Sequence, residues 1–428
     1  GSQEIFLTGE SDTITVAYSD VQGGQASVIT NGGTVNWGTG NIDVDPMFVD
    51  TANGNYHLLA SSLLINAGHP DSTDSDGTVA DMGTYPYLNS YSGPTWYISE
   101  SGNDTIATGA SDDPFRSIQA GINFSSNADS VAVAAGTYVE NINFNGKNIA
   151  VIGADSSNTI IDGDSVSQVI NLNNGEDSTT VIKNFTLRNG IGWQNNGSAI
   201  LMGGGDNNDG SPGPKLENLC ITQNSFSTGG NAITSFGSTF SLKNSRIINN
   251  YGRPLSIQGT QLSTIDNVII SGNANGIQVI TASPTFTNCV ISNNTASGSG
   301  GGIYSENSSL IIENSYINNN TSGFQGGGVY IQDGGDSRII NSFIENNTCT
   351  GYGGGLTFFR GNLELIGTVV SNNESEDYGG GIYVDGGYVE IIESTLQGNT
   401  AAVHGGGMYF NGHGNISKSG IVNNVSSG

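Results

Sequence analysis

The chain has 428 residues, of which 65 are glycine and 35% are hydrophobic, whereas only 11% carry a charge. The 38 acidic side chains outnumber the 11 basic ones, which gives a formal net charge of −27 at pH 7. This balance provides no basic patch for phosphates, so nucleic acid is excluded as an expected partner, and the apolar content argues against disorder. No stretch approaches the ~18 consecutive apolar residues of a transmembrane segment.

The first region, residues 1–90, combines short β-type runs with turn-forming residues. Its most distinctive turn places acidic side chains around Gly77, and these are Asp71, Asp74, Asp76 and Asp81. Carboxylates at such close spacing are hard oxygen ligands, so the turn is a candidate site for a structural calcium ion. The spacing differs from the EF-hand pattern, and a solvated acidic loop is the alternative. No cofactor is required by the sequence.

Residues 91–130 are expected to form a linker, an entry strand at 96–99 and a short capping helix. Asp113-Pro114 suits the start of that helix, with Asp113 as the N-cap and Pro114 at the first helical position. The apolar side chains of the helix then share one face: Phe115, Ile118 and Ile122. We expect this face to cover the open end of the following core, because bare strand edges invite aggregation.

Residues 131–428 repeat a glycine triplet that is followed by an apolar residue and usually by tyrosine. The apolar residue recurs every 26 or 27 positions, at Ile303, Val329, Leu356, Ile382 and Met408. A period in this range indicates a solenoid, since each repeat is too short to bury its own apolar face and must stack on its neighbours. A second strand in each repeat ends in asparagine, which tolerates the positive φ of a corner and can bond to the asparagine one coil away. The pattern predicts about twelve coils at a spacing of about 4.8 Å, without a cap at the C-terminal end.

The repeat predicts two outward columns of side chains. Taking Ile382 as inward places Tyr383 and Asp385 outward. The first column contains Tyr304, Tyr330, Thr357, Tyr383 and Tyr409, and the second contains Glu306, Gln332, Phe359, Asp385 and Asn411. The tyrosines are candidates for a surface that binds sugar faces or a neighbouring molecule. The alternative is aromatic pairing between strands that only stabilises the sheet.

Two motifs carry a family resemblance. Residues 96–163, with Ala135-Gly136-Thr137-Tyr138, resemble the start of right-handed parallel β-helix proteins of the pectate-lyase-like superfamily. The later repeats resemble the GGA[ILV] and FxxN repeats of polymorphic outer-membrane adhesins of bacteria, although the triplet here is GGG and FxxN occurs literally only at 343–346. Residues 1–90 look like the last coils and closing cap of such a β-helix. The resemblance implies an all-β, right-handed parallel β-helix (β-solenoid), a scaffold that carries lyases, hydrolases and adhesins alike.

The sequence assigns no catalytic residue. Glu306 and Asp385 are predicted to lie three coils, or about 14 Å, apart, beyond the ~5–9.5 Å that separates the two carboxylates of a glycosidase. The resemblance implies that a lyase of this superfamily would need acidic residues for calcium and a basic residue as the base. No column of aspartate with a nearby arginine or lysine is found. An active site formed by carboxylates on different faces of the solenoid is not excluded by the sequence.

The combined interpretation is a structural or adhesive rod, not an enzyme, outside the cell or on a bacterial surface. Residues 1–90 look like the end of one β-helix, and residues 131–428 form another that is uncapped at its C-terminal end. The C-terminal coil of one copy could therefore stack on the N-terminal coil of the next as a fibre, with a tandem array in a longer protein as the alternative. A glycan or a cell-surface protein is a further candidate partner. The main alternative is a carbohydrate-active β-helix, a polysaccharide lyase or hydrolase, or a glycan-binding module. The acidic charge favours a neutral glycan over an anionic one.

Overall fold

The structure is a computed structural model that describes residues 4–192, 196–203, 213–226, 230–259 and 262–428. It divides into two compact units, residues 1–136 and 137–428. Across the described residues, no helix has the length and hydrophobicity that crossing a membrane demands.

The N-terminal unit contains pairs of short strands. Thr13–Val16 and Thr34–Trp37 pair in parallel, with Thr13 opposite Thr34, as successive coils of a solenoid do. Phe48–Asp50 and Asn55–Leu58 pair antiparallel instead. The remaining described strands of this unit are Ile5–Phe6, Val28–Ile29, Thr95–Ile98 and Ser130–Val133, and its 3₁₀ helices are Gly24–Ser27 and Thr51–Asn53.

The helix α1 spans Ile118–Phe124, and its start differs from the predicted one. Its N-cap is Ser117, whose hydroxyl accepts a hydrogen bond from the Ala120 amide at 3.4 Å. Asp113 instead closes the preceding turn, because its carboxylate accepts the Thr108 amide at 2.9 Å. Ile118 and Ile122 of the predicted apolar face are fully buried on α1. Phe115 is also fully buried, but it precedes the helix and forms a β-bridge with Ile98.

The second unit is built from four sets of strands, and each set is parallel and in register from coil to coil. The A strands are Ile142–Asn143, Ile170–Leu172, Gly197–Met202, Asn231–Phe236, Arg253–Gln258, Ile277–Ile280, Ile303–Glu306, Val329–Gln332 and Leu356–Phe359. The B strands are Ala150–Gly153, Val181–Lys183, Lys215–Glu217, Ser241–Lys243, Thr264–Asp266, Thr285–Thr287, Ile311–Glu313, Asp336–Ile340 and Asn362–Ile366. In the last two coils A and B merge into Ile382–Ile392 and Met408–Ser417.

The other two sets complete each coil. The C strands are Gly136–Val139, Thr159–Asp162, Thr186–Arg188, Cys220–Thr222, Arg246–Ile248, Ile269–Ser271, Val290–Ser292, Tyr316–Asn318, Phe343–Glu345, Val369–Ser371, Thr395–Gln397 and Gly420–Val422. The D strands are Ile191–Gly192, Ser225–Phe226, Thr295–Ala296, Thr321–Ser322, Thr348–Cys349, Glu374–Ser375, Thr400–Ala401 and Val425–Ser426. The predicted fold class, an all-β right-handed parallel β-helix with a short helix, is confirmed.

The core repeats one apolar residue per strand, as the middle residue of each C strand shows. Ile291, Ile317, Ile344 and Val370 are each fully buried, and burial of such a side chain stabilises the fold by about 1.5–3 kcal/mol. Parallel stacking places these identical positions above one another, so the apolar column is continuous.

A column of buried asparagines follows the C strands at the corner that leads into D. Its members are Asn224, Asn250, Asn273, Asn294, Asn320, Asn347, Asn373, Asn399 and Asn424. Each Nδ2 donates to the Oδ1 of the next member at 2.9–3.1 Å, and also to a carbonyl of the preceding coil, such as Ile291 for Asn320. The column therefore satisfies a line of buried polar groups that would each be costly if left unpaired.

Candidate functional site

Four tyrosines of the A strands lie in one outward column, as the repeat predicts. Tyr304 is opposite Tyr330, and Tyr383 is opposite Tyr409 in the strand register. The ring centroids of each pair are 5.2 Å apart and the rings nearly parallel, at 12° and 8°. The strand spacing of about 4.8 Å imposes this stacking on identical positions of neighbouring coils.

Thr357 interrupts the tyrosine column, and aromatic rings from two other positions fill the space. The Tyr352 ring stacks on Tyr383 at 4.7 Å, and the Thr357 hydroxyl donates to the Tyr352 carbonyl at 2.6 Å. Phe359 lies 5.8 Å from both Tyr330 and Tyr383. The aromatic surface is thus continuous where the column itself is not.

The resulting aromatic face consists of seven side chains: Tyr304, Tyr330, Tyr352, Phe359, Tyr378, Tyr383 and Tyr409. Sequence reasoning missed Tyr352 and Tyr378, and it placed Phe359 in the second column without assigning it to the aromatic surface. The available signal was the position of Tyr352 and Tyr378 directly before a glycine triplet, one repeat apart.

Exposure divides the aromatic face into supporting and accessible members. Tyr330 and Tyr383 are only 7% and 9% exposed, so they mainly support their neighbours. Tyr304, Phe359 and Tyr409 are half-buried and keep ring surface open to solvent. Only part of the predicted binding surface is therefore available to a ligand.

Polar side chains border the aromatic face in the second predicted column, which has the register expected from the repeat. The Tyr304 hydroxyl donates to Glu306 Oε2 at 2.9 Å, and the Tyr330 hydroxyl donates to Gln332 Oε1 at 2.7 Å. The amide of Asn411 donates to Asp385 Oδ1 at 2.7 Å. Hydroxyls, amides and carboxylates thus alternate along one edge of the rings.

An ion pair at the corner beside this column was missed in the sequence. Arg360 Nε lies 2.7 Å from Asp333 Oδ1, and Arg360 Nη2 donates to Asp333 Oδ2 at 3.0 Å. This forked geometry is the strong form of an arginine–carboxylate contact. The pair is a single contact and not the column of aspartates with a nearby basic residue that was looked for in the sequence. Both residues have positive φ, +48° for Asp333 and +59° for Arg360, a region that suits asparagine and glycine better than arginine.

A shallow recess of about 480 Å³ opens between these groups. We call it the Phe359 recess, and its lining residues are Tyr330, Gln332, Phe359, Arg360, Asp385 and Gly386. It combines an apolar ring, a cation, a carboxylate and an amide from three consecutive coils. This mixture of apolar and convergent polar groups is typical of ligand sites.

Burial raises the pKa of two tyrosine hydroxyls of the aromatic face, those of Tyr304 and Tyr383. It raises the pKa of Tyr383 to about 12, with smaller contributions from Asp385 and neighbouring tyrosines. Burial also raises the pKa of Tyr304, and the hydrogen bond to Glu306 acts in the same direction. These hydroxyls are therefore hydrogen-bond donors at neutral pH.

Arg253 lies at the edge of the same face, at the start of an A strand. Burial lowers the pKa of its guanidinium, and Tyr304 is the neighbouring titratable group. Its Nη1 atom is buried without a hydrogen-bond partner among the described residues.

The register separates Glu306 and Asp385 by three coils, as predicted. Asp333 provides a carboxylate between these two positions. It follows Gln332, so it lies one coil from Glu306 and two coils from Asp385. Two strand spacings amount to about 10 Å between backbones. This backbone separation is comparable with the ~6.5–9.5 Å between the two carboxylates of inverting glycosidases.

The acidic turn of the N-terminal unit uses its carboxylates internally. Asp81 accepts the amides of Asn66 and Tyr87 at 2.7 and 2.8 Å, and Asp74 accepts the amide of Asp81 at 2.9 Å. Burial, together with Asp74 and Asp76, raises the pKa of Asp81 to about 6. The side chain of the remaining member, Asp71, is 92% exposed. No group of three or more metal-binding side chains is found in the part of the chain that the structure describes, and calcium stays a prediction.

The comparisons with known proteins agree with this architecture. Residues 168–325 match the family described as the right-handed β-helix region. The chain has the right-handed parallel β-helix fold that its sequence predicts. A search of curated proteins found no match. The resemblance to adhesins has no counterpart among these findings and stays a prediction.

Three solved structures with the same type of fold illustrate the likeness. The catalytic domain of a GH87 alpha-1,3-glucanase, in complex with tetrasaccharides, shares 14% identity over 81% of this chain and 74% of its own, with a TM-score of 0.44. Pectate lyase Pel9A shares 14% identity over 76% and 78%, with a TM-score of 0.39. The Azotobacter vinelandii mannuronan C-5 epimerase AlgE4 A-module shares 13% identity over 69% and 89%, with a TM-score of 0.35.

The prediction that this chain is not an enzyme is contradicted by these comparisons and is withdrawn. The solved structures that match are epimerase modules, a glucanase catalytic domain and lyases. Because identities are 13–14% and TM-scores are at most 0.44, the likeness is one of fold. The chemistry of this chain therefore depends on its own residues.

Proposed function

We propose that this chain is a carbohydrate-active β-helix that binds a glycan along the aromatic face and cleaves it at the Phe359 recess. One observation carries the proposal: the Phe359 ring, Arg360 and Asp385 line one recess, and Arg360 pairs with a second carboxylate, that of Asp333. Ring faces supply apolar area to the C–H faces of sugars, while carboxylates and amides bind the hydroxyls.

The proposed substrate is a neutral glycan. The net charge of −27 would repel a polyanion, whereas neutral hydroxyl groups are unaffected. An extracellular or cell-surface location belongs to this proposal, since a large polysaccharide is met there and the acidic surface suits that setting.

The two aspartates divide the work of hydrolysis in this proposal. Arg360 pairs with the carboxylate form of Asp333, which is the form that activates a water molecule as a general base. Asp385 lines the recess two coils away and is the candidate proton donor to the leaving oxygen. Protonated Tyr383 helps to support the rings against which the sugar packs.

Release of reducing ends from neutral glucans and mannans tests the proposal. Asp333→Asn and Asp385→Asn should each lower the rate by about 100-fold or more, as loss of an acid–base group does. Glu313→Gln is the matched control, because Glu313 lies on a B strand and is not among the residues that line the recess. Equal activity of wild type and Asp385→Asn, or no turnover of any neutral glycan, would contradict the assignment.

Head-to-tail stacking is the second candidate. Ile421 is 45% exposed, whereas its counterpart Leu396 one coil earlier is fully buried, and a further coil, from this chain or from another copy, would cover Ile421 in the same way. Electron microscopy at rising concentration, with and without calcium, should show fibres with an axial repeat of one chain. Separate particles at every concentration would rule the stacking out.

A further inference from the structure

Two consecutive coils of the second unit lack a D strand. After the buried Asn250, only Tyr251 and Gly252 precede the A strand Arg253–Gln258, and after Asn273 only residues 274–276 precede Ile277–Ile280. In the next coil, residues 295–302 separate Asn294 from Ile303 and include a D strand. The spacing along the asparagine column falls accordingly to 23 and 21 residues, against 26 or 27 in the four coils that follow.

The missing strands leave a second recess on the outside of these coils. We call it the Tyr251 recess; its volume is about 400 Å³, and its lining includes Gln223, Asn249, Tyr251, Gly272, Asn293 and Thr295. Three strand spacings separate the D strand Ser225–Phe226 from Thr295–Ala296, which is about 14 Å. The opening is therefore wide enough for a small ring-shaped ligand.

Gly272 forms the floor of this recess. It occupies a corner column whose neighbours are Asn249 and Asn293, and all three have positive φ. A side chain at Gly272 would begin 2.5 Å from Asn249 Oδ1 and would crowd the Asn249 carboxamide that lines the recess. Glycine at this position thus keeps the recess open.

The lining has the chemistry of a site for neutral, hydroxylated ligands. None of the described residues that line it carries a carboxylate or a cationic group. The carboxamides of Gln223 and Asn249 make no hydrogen bond to any described residue, so their donors and acceptors are available. Tyr251 is 63% exposed and presents its ring beside them, which is the arrangement that a sugar ring can stack on.

We propose that the Tyr251 recess is a second carbohydrate site, which binds one or two neutral hexose units independently of the Phe359 recess. The amides of Gln223 and Asn249 hold the hydroxyls, and the Tyr251 ring contacts the apolar face of the sugar. Such a site would keep a polysaccharide attached to the protein while the aromatic face engages another part of the chain, which raises the effective concentration of substrate.

Calorimetric titration with neutral hexasaccharides of glucose and of mannose tests this site. Gly272→Asn should weaken binding at this recess by about tenfold or more, because it fills the floor, while the positive φ is retained by asparagine as at Asn249 and Asn293. Tyr251→Ala should have a similar effect, and Tyr251→Phe should bind like the wild type because the ring is kept. Thermal unfolding checks that each variant is folded.

A Phe359→Ala variant separates this proposal from the proposed function. Binding that survives Phe359→Ala and disappears in the double variant with Gly272→Asn supports a second site. If Phe359→Ala alone abolishes all hexasaccharide binding, or if Gly272→Asn and Tyr251→Ala bind like the wild type in that background, the second site does not exist. Neither result bears on whether Asp385→Asn abolishes cleavage.

Discussion

The coils at 250–294 and those at 295–426 share one core but differ in their outer surface. The asparagine column runs through both regions with the same hydrogen bonds, at 2.9–3.1 Å, although the coils of the first region are three to six residues shorter. The longer coils carry a D strand and the aromatic face, and the shorter ones carry neither. Coil length therefore decides which ligand surface a coil presents, and it leaves the core unaffected.

The physical reason lies in where the variable residues fall. The C strand and its corner asparagine are fixed by burial and by bonds to the coils on either side, so their length cannot change. The segment between that asparagine and the next A strand runs along the surface, where residues are lost or gained at little cost. The outer surface of a coil can therefore change without destabilising the core that the stacked coils share.

The largest expected effect tests whether the core is the same in both regions. Asn320→Ala and Asn273→Ala should each lower the free energy of unfolding by about 3–4 kcal/mol, because each leaves buried donors and acceptors of neighbouring coils without partners. Denaturant titration measures the change. Asn319→Gly is the control, since Asn319 is an exposed corner residue whose positive φ glycine adopts freely. A much smaller cost at Asn273 would show that the short coils have a separate source of stability.

A smaller effect distinguishes the two aromatic surfaces. Tyr383→Ala should cost about 2–3 kcal/mol of unfolding free energy, because its ring is 9% exposed and stacks on Tyr352 and Tyr409. Tyr251→Ala should stay within about 0.5 kcal/mol of the wild type, because that ring is 63% exposed. Equal costs for the two substitutions would mean that Tyr251 packs against the coils and is not available to a ligand.

Alkaline pH should affect the aromatic face selectively. The pKa of Tyr383 is about 12 in the folded chain against an ordinary 10.0, so the folded state holds this proton more tightly. The resulting stabilisation is complete below pH 10 and is lost as the pH rises towards 12. Thermal unfolding at intervals between pH 9 and 12 should show a smaller loss in Tyr383→Phe than in the wild type. An unchanged profile would contradict the predicted role of this hydroxyl.

The smallest effect on stability is expected from lengthening a short coil. Replacing residues 274–276 with a copy of residues 295–302 should change the free energy of unfolding by about 1 kcal/mol or less, because loop length carries only a weak entropic cost. The same change should reduce hexasaccharide binding at the Tyr251 recess. A loss of several kcal/mol would show that the short coils depend on their compact turns.

Much of the fold and part of the candidate site could be predicted from the repeat. Identical positions of neighbouring coils are one period apart in the chain, so the sequence alone placed Tyr304 and Tyr330 opposite each other and separated Glu306 from Asp385 by three coils. The asparagine column followed from the same spacing, since a buried amide at a corner bonds to its equivalent one coil away. These predictions require only the repeat period and the alternation of inward and outward side chains along a strand.

Contacts between different columns were decided by the tertiary structure alone. Tyr352 stacks on Tyr383, Phe359 fills the gap at Thr357, and Arg360 pairs with Asp333, although no periodic pattern links these positions. The N-cap of α1 is Ser117 and not the predicted Asp113 for a related reason, because the Asp113 carboxylate closes the preceding turn. A repeat determines which residues share a column. The path of each corner in space determines which columns come into contact. The Phe359 and Tyr251 recesses both lie where corners bring different columns together.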